Sequence, residues 1–175
     1  MHKVKKYIAE DLKFSNQTIK EMKINSKKFY NKIKERRSIR EFSKDKIDIN
    51  IIKNAILSAG SAPSGANLQP WHFVVIKNKN VKKKIRIEAE KEEENFYKYK
   101  APKEWLDALT PLGTDENKKF IENAPYLIAI FEKKFSVSKN KKIKNYYVKE
   151  SVGIATGILI TCLHFSGLSL IHISE

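Results

Sequence analysis

The sequence predicts an α+β domain whose sheet is unfinished. Three observations carry this. Apolar residues recur at helical spacing along most of the chain. Two short runs, Trp71–Ile76 and Tyr126–Phe131, are continuously apolar and read as buried strands. Helical stretches separate the two, and a sheet usually needs three or more strands to be stable by itself. The 175 residues fit one domain or part of one, and 41% hydrophobic content can build a core.

The elements follow in order. Residues 1–24 are polar and basic and are expected to form an arm, with Tyr7, Ile8, Leu12, Ile19 and Met22 as a weak helical stripe. Asn25-Ser26 offers a cap for a helix carrying Phe29, Tyr30 and Ile33. That helix leads into Arg36-Arg37-Ser38-Ile39-Arg40. Asp48 caps the next helix, whose stripe is Ile51, Ile52, Ala55, Ile56 and Ala59, with Gly60 at C′. The segment Ala59–Trp71 has no charge and is made of small and turn-forming residues, then enters the first strand. Lys82–Tyr99 is helical and highly charged, and Pro102 and Pro111 bracket a loop or short helix with Trp105 and Leu106. Asp115 caps a short helix through Ile121 that ends at Asn123-Ala124-Pro125. After the second strand, Lys133–Asn145 reads as a basic loop and Tyr146–Phe165 as a long apolar helix. Ser151, Gly153, Ala155 and Gly157 on it allow close packing, in a core or against a second subunit.

The formal charge is +15, which raises the question of a polyanion partner. Only Arg36, Arg37, Arg40 and Arg86 are arginines, however, and the lysines are scattered, which points away from nucleic acid. Cys162 is the single cysteine and lies in an apolar run, as a small hydrophobe would, so a reducing, cytoplasmic setting is expected. Met1–Lys28 has no apolar signal region, and Val152–Leu163 falls short of the roughly 20 residues that span a bilayer.

Arg36, Arg37, Ser38 and Arg40 place three planar, bidentate donors and a hydroxyl within five residues, a set suited to a phosphate. A solvated helix end explains the same residues. The small-residue loop lets backbone approach a flat ligand, or serves as an ordinary helix-to-strand connection. Glu93 and Tyr97 stand four residues apart and share a helical face, able to hold the ammonium and polar end of a zwitterion or simply to be solvated. Nothing intrinsic separates Lys118 from Lys119, and His72 and His164 are read as structural. No nucleophile triad, zinc motif or P-loop is present.

The arginine run, followed by Ala62-Pro63-Ser64-Gly65-Ala66 and by Pro70-Trp71-His72-Phe73-Val74-Val75, resembles the nitroreductase superfamily of FMN enzymes. Through Glu93, Tyr97 and Lys118 it looks more closely like the iodotyrosine deiodinase branch, along about residues 21–167. The resemblance implies a nitroreductase-like FMN fold, with a mixed sheet flanked by helices. It implies FMN held by Arg36 and Arg40 at its phosphate, by Arg37 and Ser38 nearby, and by Pro63, Ser64 and Gly65 along the ring edge. The Ala66 N–H would donate to a substrate phenolate, Glu93 would pair with its ammonium, Lys118 with its carboxylate, and Tyr97 would close over both. The implied reaction is reductive dehalogenation of a halogenated tyrosine by a homodimer, with NAD(P)H or a reductase upstream. A broader reduction of nitroaromatics or quinones is the alternative.

Such proteins continue past Gly167 into a third strand, a threonine-rich turn near the flavin N5, another phosphate-binding arginine and an extension that embraces the partner subunit. Here the chain reads Leu168-Ser169-Leu170-Ile171-His172-Ile173-Ser174-Glu175, which back-translates to something resembling a transposon-end sequencing adapter. The expected organisation is therefore an arm at 1–24, the N-terminal part of the domain at 25–167, and a non-native tail at 168–175 with the sheet incomplete. Residues 1–24 are also too polar for the membrane anchor of animal members, so this form is expected to be soluble.

Overall fold

Thr18 starts the first helix of the computed structural model, which describes residues 11–112, 115–138 and 141–173. Helix α1 spans Ile19–Ile33 under a capping box: the Thr18 hydroxyl accepts from the Glu21 N–H, and the Glu21 carboxylate accepts from the Thr18 N–H at 2.7 Å. The boundary expected at residue 24 thus falls inside a helix, and Asn25-Ser26 is not its cap. Asn25 and Ser26 read as a start only because the true start is the polar pair Thr18 and Glu21, three residues apart. No residue of α1 is buried, and residues 1–35 form a unit of their own; Tyr7 and Ile8 lie outside the described residues.

The second unit, residues 36–175, holds the core. Helix α2 (Ile49–Gly60) starts at Asp48, whose carboxylate accepts from the Asn50 N–H at 2.8 Å. Gly60 is its last helical residue rather than a left-handed C′ position, and Ser61 follows with ordinary φ −85°. Strand β1 (Trp71–Ile76) pairs antiparallel with β2 (Leu127–Glu132), Phe73 opposite Ile130 and Val75 opposite Ile128. These four side chains lie against α2 and the last helix, α6 (Val148–Phe165), while His72 and Val74 are exposed. The strands are therefore half-buried, not buried on both faces as their apolar runs suggest. The alternation is real, but Val74 and Phe131 occupy outward positions with apolar side chains and hide it.

Helices α2 and α6 meet through small and branched residues, Ile52, Ala55 and Ala59 on one and Leu159 and Leu163 on the other, while Ala155 packs with Ala62, Trp71 and Val152. Two fully buried alanines at this crossing, Ala55 and Ala59, let the backbones approach closely. With 18 residues and mean hydropathy 1.3, α6 is long and apolar enough to cross a membrane by composition, although a stripe of five residues is buried in this fold. Its other side exposes Gly153, Ile154 and Gly157, with nothing within 4 Å of a Cβ built on either glycine.

Helix α3 (Lys79–Asn95) begins at Asn78, whose side chain caps two N–H groups, and runs into a wider π-turn at Phe96–Lys100. Helices α4 (Lys103–Leu109) and α5 (Lys119–Asn123) follow; Asp115 caps only the turn at Asn117, so α5 starts later than its sequence suggests. The stretch expected as a basic loop contains a hairpin, β3 (Phe135–Ser138) with β4 (Lys141–Lys144). Its alternating Phe-Ser-Val-Ser and Lys-Lys-Ile-Lys were masked by the density of lysine. One isolated parallel bridge, Ser38 to Leu170, lies outside these pairs, with the Ile39 N–H donating to Leu170 O at 3.2 Å. Leu168 and Leu170 pack on the main core. An alternating Leu-Ser-Leu segment fills such a slot by pattern alone.

Candidate functional site

The charge-free loop is pinned at both ends and presented in the middle. Ala62, Pro70 and Trp71 are buried, whereas Pro63, Ala66, Asn67 and Gln69 are exposed. One 3-10 turn, Gly65–Asn67, forms its tip, and the Ser64 hydroxyl accepts from the Gln69 N–H at 3.0 Å. Ala66, Asn67 and Gln69 have φ of 48°, 54° and 47°. The other described non-glycine residue with positive φ is Tyr147, at 52°, and its ring lies against Gly65. A Cβ at position 65 would stand 3.0 Å from that ring, so any larger residue would need the ring to give by a few tenths of an ångström, and glycine suits the approach. Backbone of this kind costs on the order of 1 kcal/mol per residue and persists only where the surroundings impose it. Here the strain is gathered at one loop, and the Ala66 N–H makes no hydrogen bond among the described residues.

The arginine run leads past the bridge to Leu170. Arg37 donates to the Arg36 carbonyl at 2.8 Å. Among the described residues Arg36 and Arg40 form no ion pair, so their guanidinium donors stay available to an anion. Ser38 is exposed between them. Arg40 and Phe42 line a cavity of about 410 Å³ with Asn117 and Lys119, which brings the run beside the start of α5.

Lys118, which precedes α5, is buried, and Lys119 is exposed. The Lys118 ammonium donates to Glu93 at 2.6 Å and to the Asp115 carbonyl at 2.8 Å. The two lid residues expected to hold opposite ends of a zwitterion are thus brought together by the fold. Tyr97 is half-buried, on the π-turn rather than in α-helical register with Glu93, and its ring meets Phe96 edge-on at 5.8 Å. No hydrogen bond joins Ala66 to Glu93 or Lys118 among the described residues.

Two further charged groups went unnoticed in the sequence. Arg86 donates to Glu90 at 2.6 Å and to Glu122 at 2.9 Å, tying α3 to α5, and the other Glu90 oxygen accepts from the Lys118 N–H at 2.9 Å. The i, i+4 spacing of Arg86 and Glu90 was a readable signal; Glu122 was not. Buried Lys82 donates to the Glu122 and Ala124 carbonyls, and burial lowers its pKa. No His/Cys/Asp/Glu cluster suited to a metal occurs among the described residues.

The hydrogen bond from Arg86 holds the Glu90 carboxyl below the usual carboxylate range, against the effect of burial and with help from the Lys118 N–H. A depressed carboxyl stabilises the fold above its unfolded pKa, about 4.3, and that stability is lost as pH falls through the folded value. Glu90→Gln is therefore expected to flatten the acid side of the stability curve, measured as urea midpoints from neutral pH downward. A curve with unchanged slope would contradict the tie.

The Nitroreductase family pattern matches residues 33–174. The chain is 47% identical over 149 residues to an iodotyrosine deiodinase of Haliscomenobacter hydrossis, covering 85% of this chain and 67% of that protein. It is 42% identical to human iodotyrosine deiodinase 1, covering 85% and 52%. Against a crystal structure of oxidized iodotyrosine deiodinase bound to FMN and 3-iodo-L-tyrosine, the TM-score is 0.74 at 30% identity, covering 84% of this chain and 74% of that one. An FMN-dependent nitroreductase of Clostridium difficile R20291 shares the fold at TM-score 0.56 and 24% identity, covering 82% and 59%. The chain spans about half to two thirds of the length of these curated relatives. With fold and sequence agreeing over most of its residues, the chain belongs to the nitroreductase family, in its iodotyrosine deiodinase-like branch.

Proposed function

We propose that this protein is an FMN-dependent oxidoreductase that removes halide reductively from a halogenated tyrosine. The observation that carries this reading is the Lys118–Glu93 pair, sheltered at 2.6 Å, with side-chain exposures of only 10% and 28%. An ammonium and a carboxylate held side by side are the complement of an amino-acid zwitterion. Each charge can exchange its partner for the opposite end of the ligand without being left unpaired.

The residues present suit FMN. Arg36 and Arg40 offer guanidinium donors without an acidic partner among the described residues, as a phosphate needs. The segment Pro63–Ala66, which ends at the left-handed Ala66, offers backbone rather than side chains to a flat ring, with Arg37 and Ser38 completing the set. When bound, FMN supplies two electrons, so that an aryl halide, two electrons and a proton give the arene and halide. The protein's share is to bind and orient. The Ala66 N–H would donate to the phenolate oxygen, Glu93 and Lys118 would hold the ammonium and carboxylate, and Tyr97 would close over them and exclude water.

Reducing equivalents would come from NAD(P)H or an upstream reductase, and a cytoplasmic setting suits the lone thiol of Cys162. A homodimer fits the open glycine face of α6, where Gly153, Ile154 and Gly157 leave room for a second copy. The arginine run and the loop would serve reduction of a nitroaromatic equally well, but the paired lid charges would not be needed for it. Glu93→Gln is thus expected to lower iodotyrosine turnover by at least tenfold while leaving nitroaromatic reduction unchanged. Equal loss on both substrates would remove the zwitterion reading.

A further inference from the structure

The Lys118 side chain is aimed by its ion pair, but its backbone is aimed by something else. Its N–H donates to Glu90 at 2.9 Å, and its carbonyl accepts from the Ile121 N–H at 2.9 Å. We propose that Glu90, set in place by Arg86, is the positioning residue for Lys118: it clamps the lysine backbone so that the ammonium stands beside Glu93 before a zwitterionic ligand arrives. This rests on the function proposed above.

The geometry is that of one helix face used twice. Arg86, Glu90 and Glu93 are spaced four and three apart on α3, so they lie along the same side. Glu93 takes the ammonium and Glu90 takes the backbone N–H of the same lysine. Both ends of Lys118 are therefore referenced to a single rigid element of 17 residues. The helix that follows Lys118 has only five residues and would hold its start poorly alone. Arg86 reaches across to Glu122 in that helix, so the tie catches α5 at two places.

The Glu90 carboxylate has no oxygen to spare: one accepts from Lys118, the other from Arg86. With side-chain exposures of 19% and 23%, Arg86 and Glu90 are sheltered enough for a charge-assisted pair to hold its geometry. A lysine stem has many rotamers, and fixing its root in advance reduces the ordering cost that binding would otherwise meet.

The test compares FMN-loaded wild type, Glu90→Ala and Glu90→Gln. Affinity is measured by flavin fluorescence for 3-iodo-L-tyrosine and for 2-iodophenol, which lacks the zwitterion. Amide hydrogen exchange at Lys118 is followed separately, with no substrate present. Glu90→Ala is expected to weaken iodotyrosine about tenfold, the scale of one ionic hydrogen bond. It should leave 2-iodophenol unchanged and speed exchange at Lys118. Glu90→Gln keeps an oxygen for the N–H but loses the one that Arg86 holds, so it should recover part of the affinity and of the slow exchange. Loss of both ligands alike, or no change in either, would overturn the proposal. Should the alanine variant not fold, Arg86→Met gives the same comparison, with a smaller expected loss, confined to iodotyrosine. If wild type itself does not bind iodotyrosine, the proposed function fails, and the clamp is still decided by exchange: faster at Lys118 in Glu90→Ala supports it, unchanged exchange refutes it.

Discussion

Lys118→Ala is expected to weaken 3-iodo-L-tyrosine binding by about a hundredfold, while Lys119→Ala leaves it within about twofold. The two lysines are neighbours with the same chemistry, so the contrast isolates burial and partnership. Lys118 is 8% exposed and holds Glu93 and the Asp115 carbonyl; its neighbour is exposed and forms no ion pair among the described residues. Truncating one member of a buried, hydrogen-bonded charge pair typically costs about 2–5 kcal/mol, much of it from the charge left behind, and a hundredfold corresponds to about 2.7 kcal/mol. Lys118→Ala should also lower folding stability by about 1–3 kcal/mol, because Glu93 is left half-buried without its cation. Lys119→Ala should fall within about 0.5 kcal/mol, as most exposed substitutions do. Isothermal titration and chemical denaturation on the three proteins measure both effects. Equal losses for the two variants would show that the buried pair is not a binding element.

The second large effect is on the flavin. The double variant Arg36→Ala, Arg40→Ala is expected to raise the Kd for FMN by at least a hundredfold, since each guanidinium bond to a phosphate is worth about 1.5–3 kcal/mol. Stability of the flavin-free protein should hardly move, because neither arginine has an ion-pair partner among the described residues. Arg37→Ala should do less, as that side chain already donates to the Arg36 carbonyl. Flavin fluorescence titrations at two salt concentrations measure this. A protein that keeps FMN with both arginines removed would place the phosphate elsewhere.

Much of this arrangement was legible in the residues. The strand Trp71–Ile76 and the cap at Asp48 were correct because each has a strong local signal, a continuous apolar run or a carboxylate before a helical stripe. The small-residue loop was legible as a loop, but not its left-handed tip: Ala66, Asn67 and Gln69 are not residues that announce positive φ as glycine does. Lys118 could not be told from Lys119, because burial of a lysine is decided by groups far along the chain, here Glu93 and Glu90. Lys82 was missed for the same reason, its partners being the carbonyls of residues 122 and 124. The β3–β4 hairpin was lost under its lysines, and the start of α1 was misplaced because two plausible polar caps stand eight residues apart. The ligand set came from resemblance rather than from local chemistry, and the long-range ties of Lys118 became visible only in the fold.

On the proposed function, one protein both holds FMN and directs its electrons to a halogenated tyrosine. Anaerobic iodide release from 3-iodo-L-tyrosine, with FMN-loaded protein and dithionite as reductant, tests it most directly. One iodide and one tyrosine are expected for every two electrons consumed, with Glu93→Gln markedly slower. Bound FMN that is reduced and passes electrons to a nitroaromatic, yet releases no iodide, would contradict it.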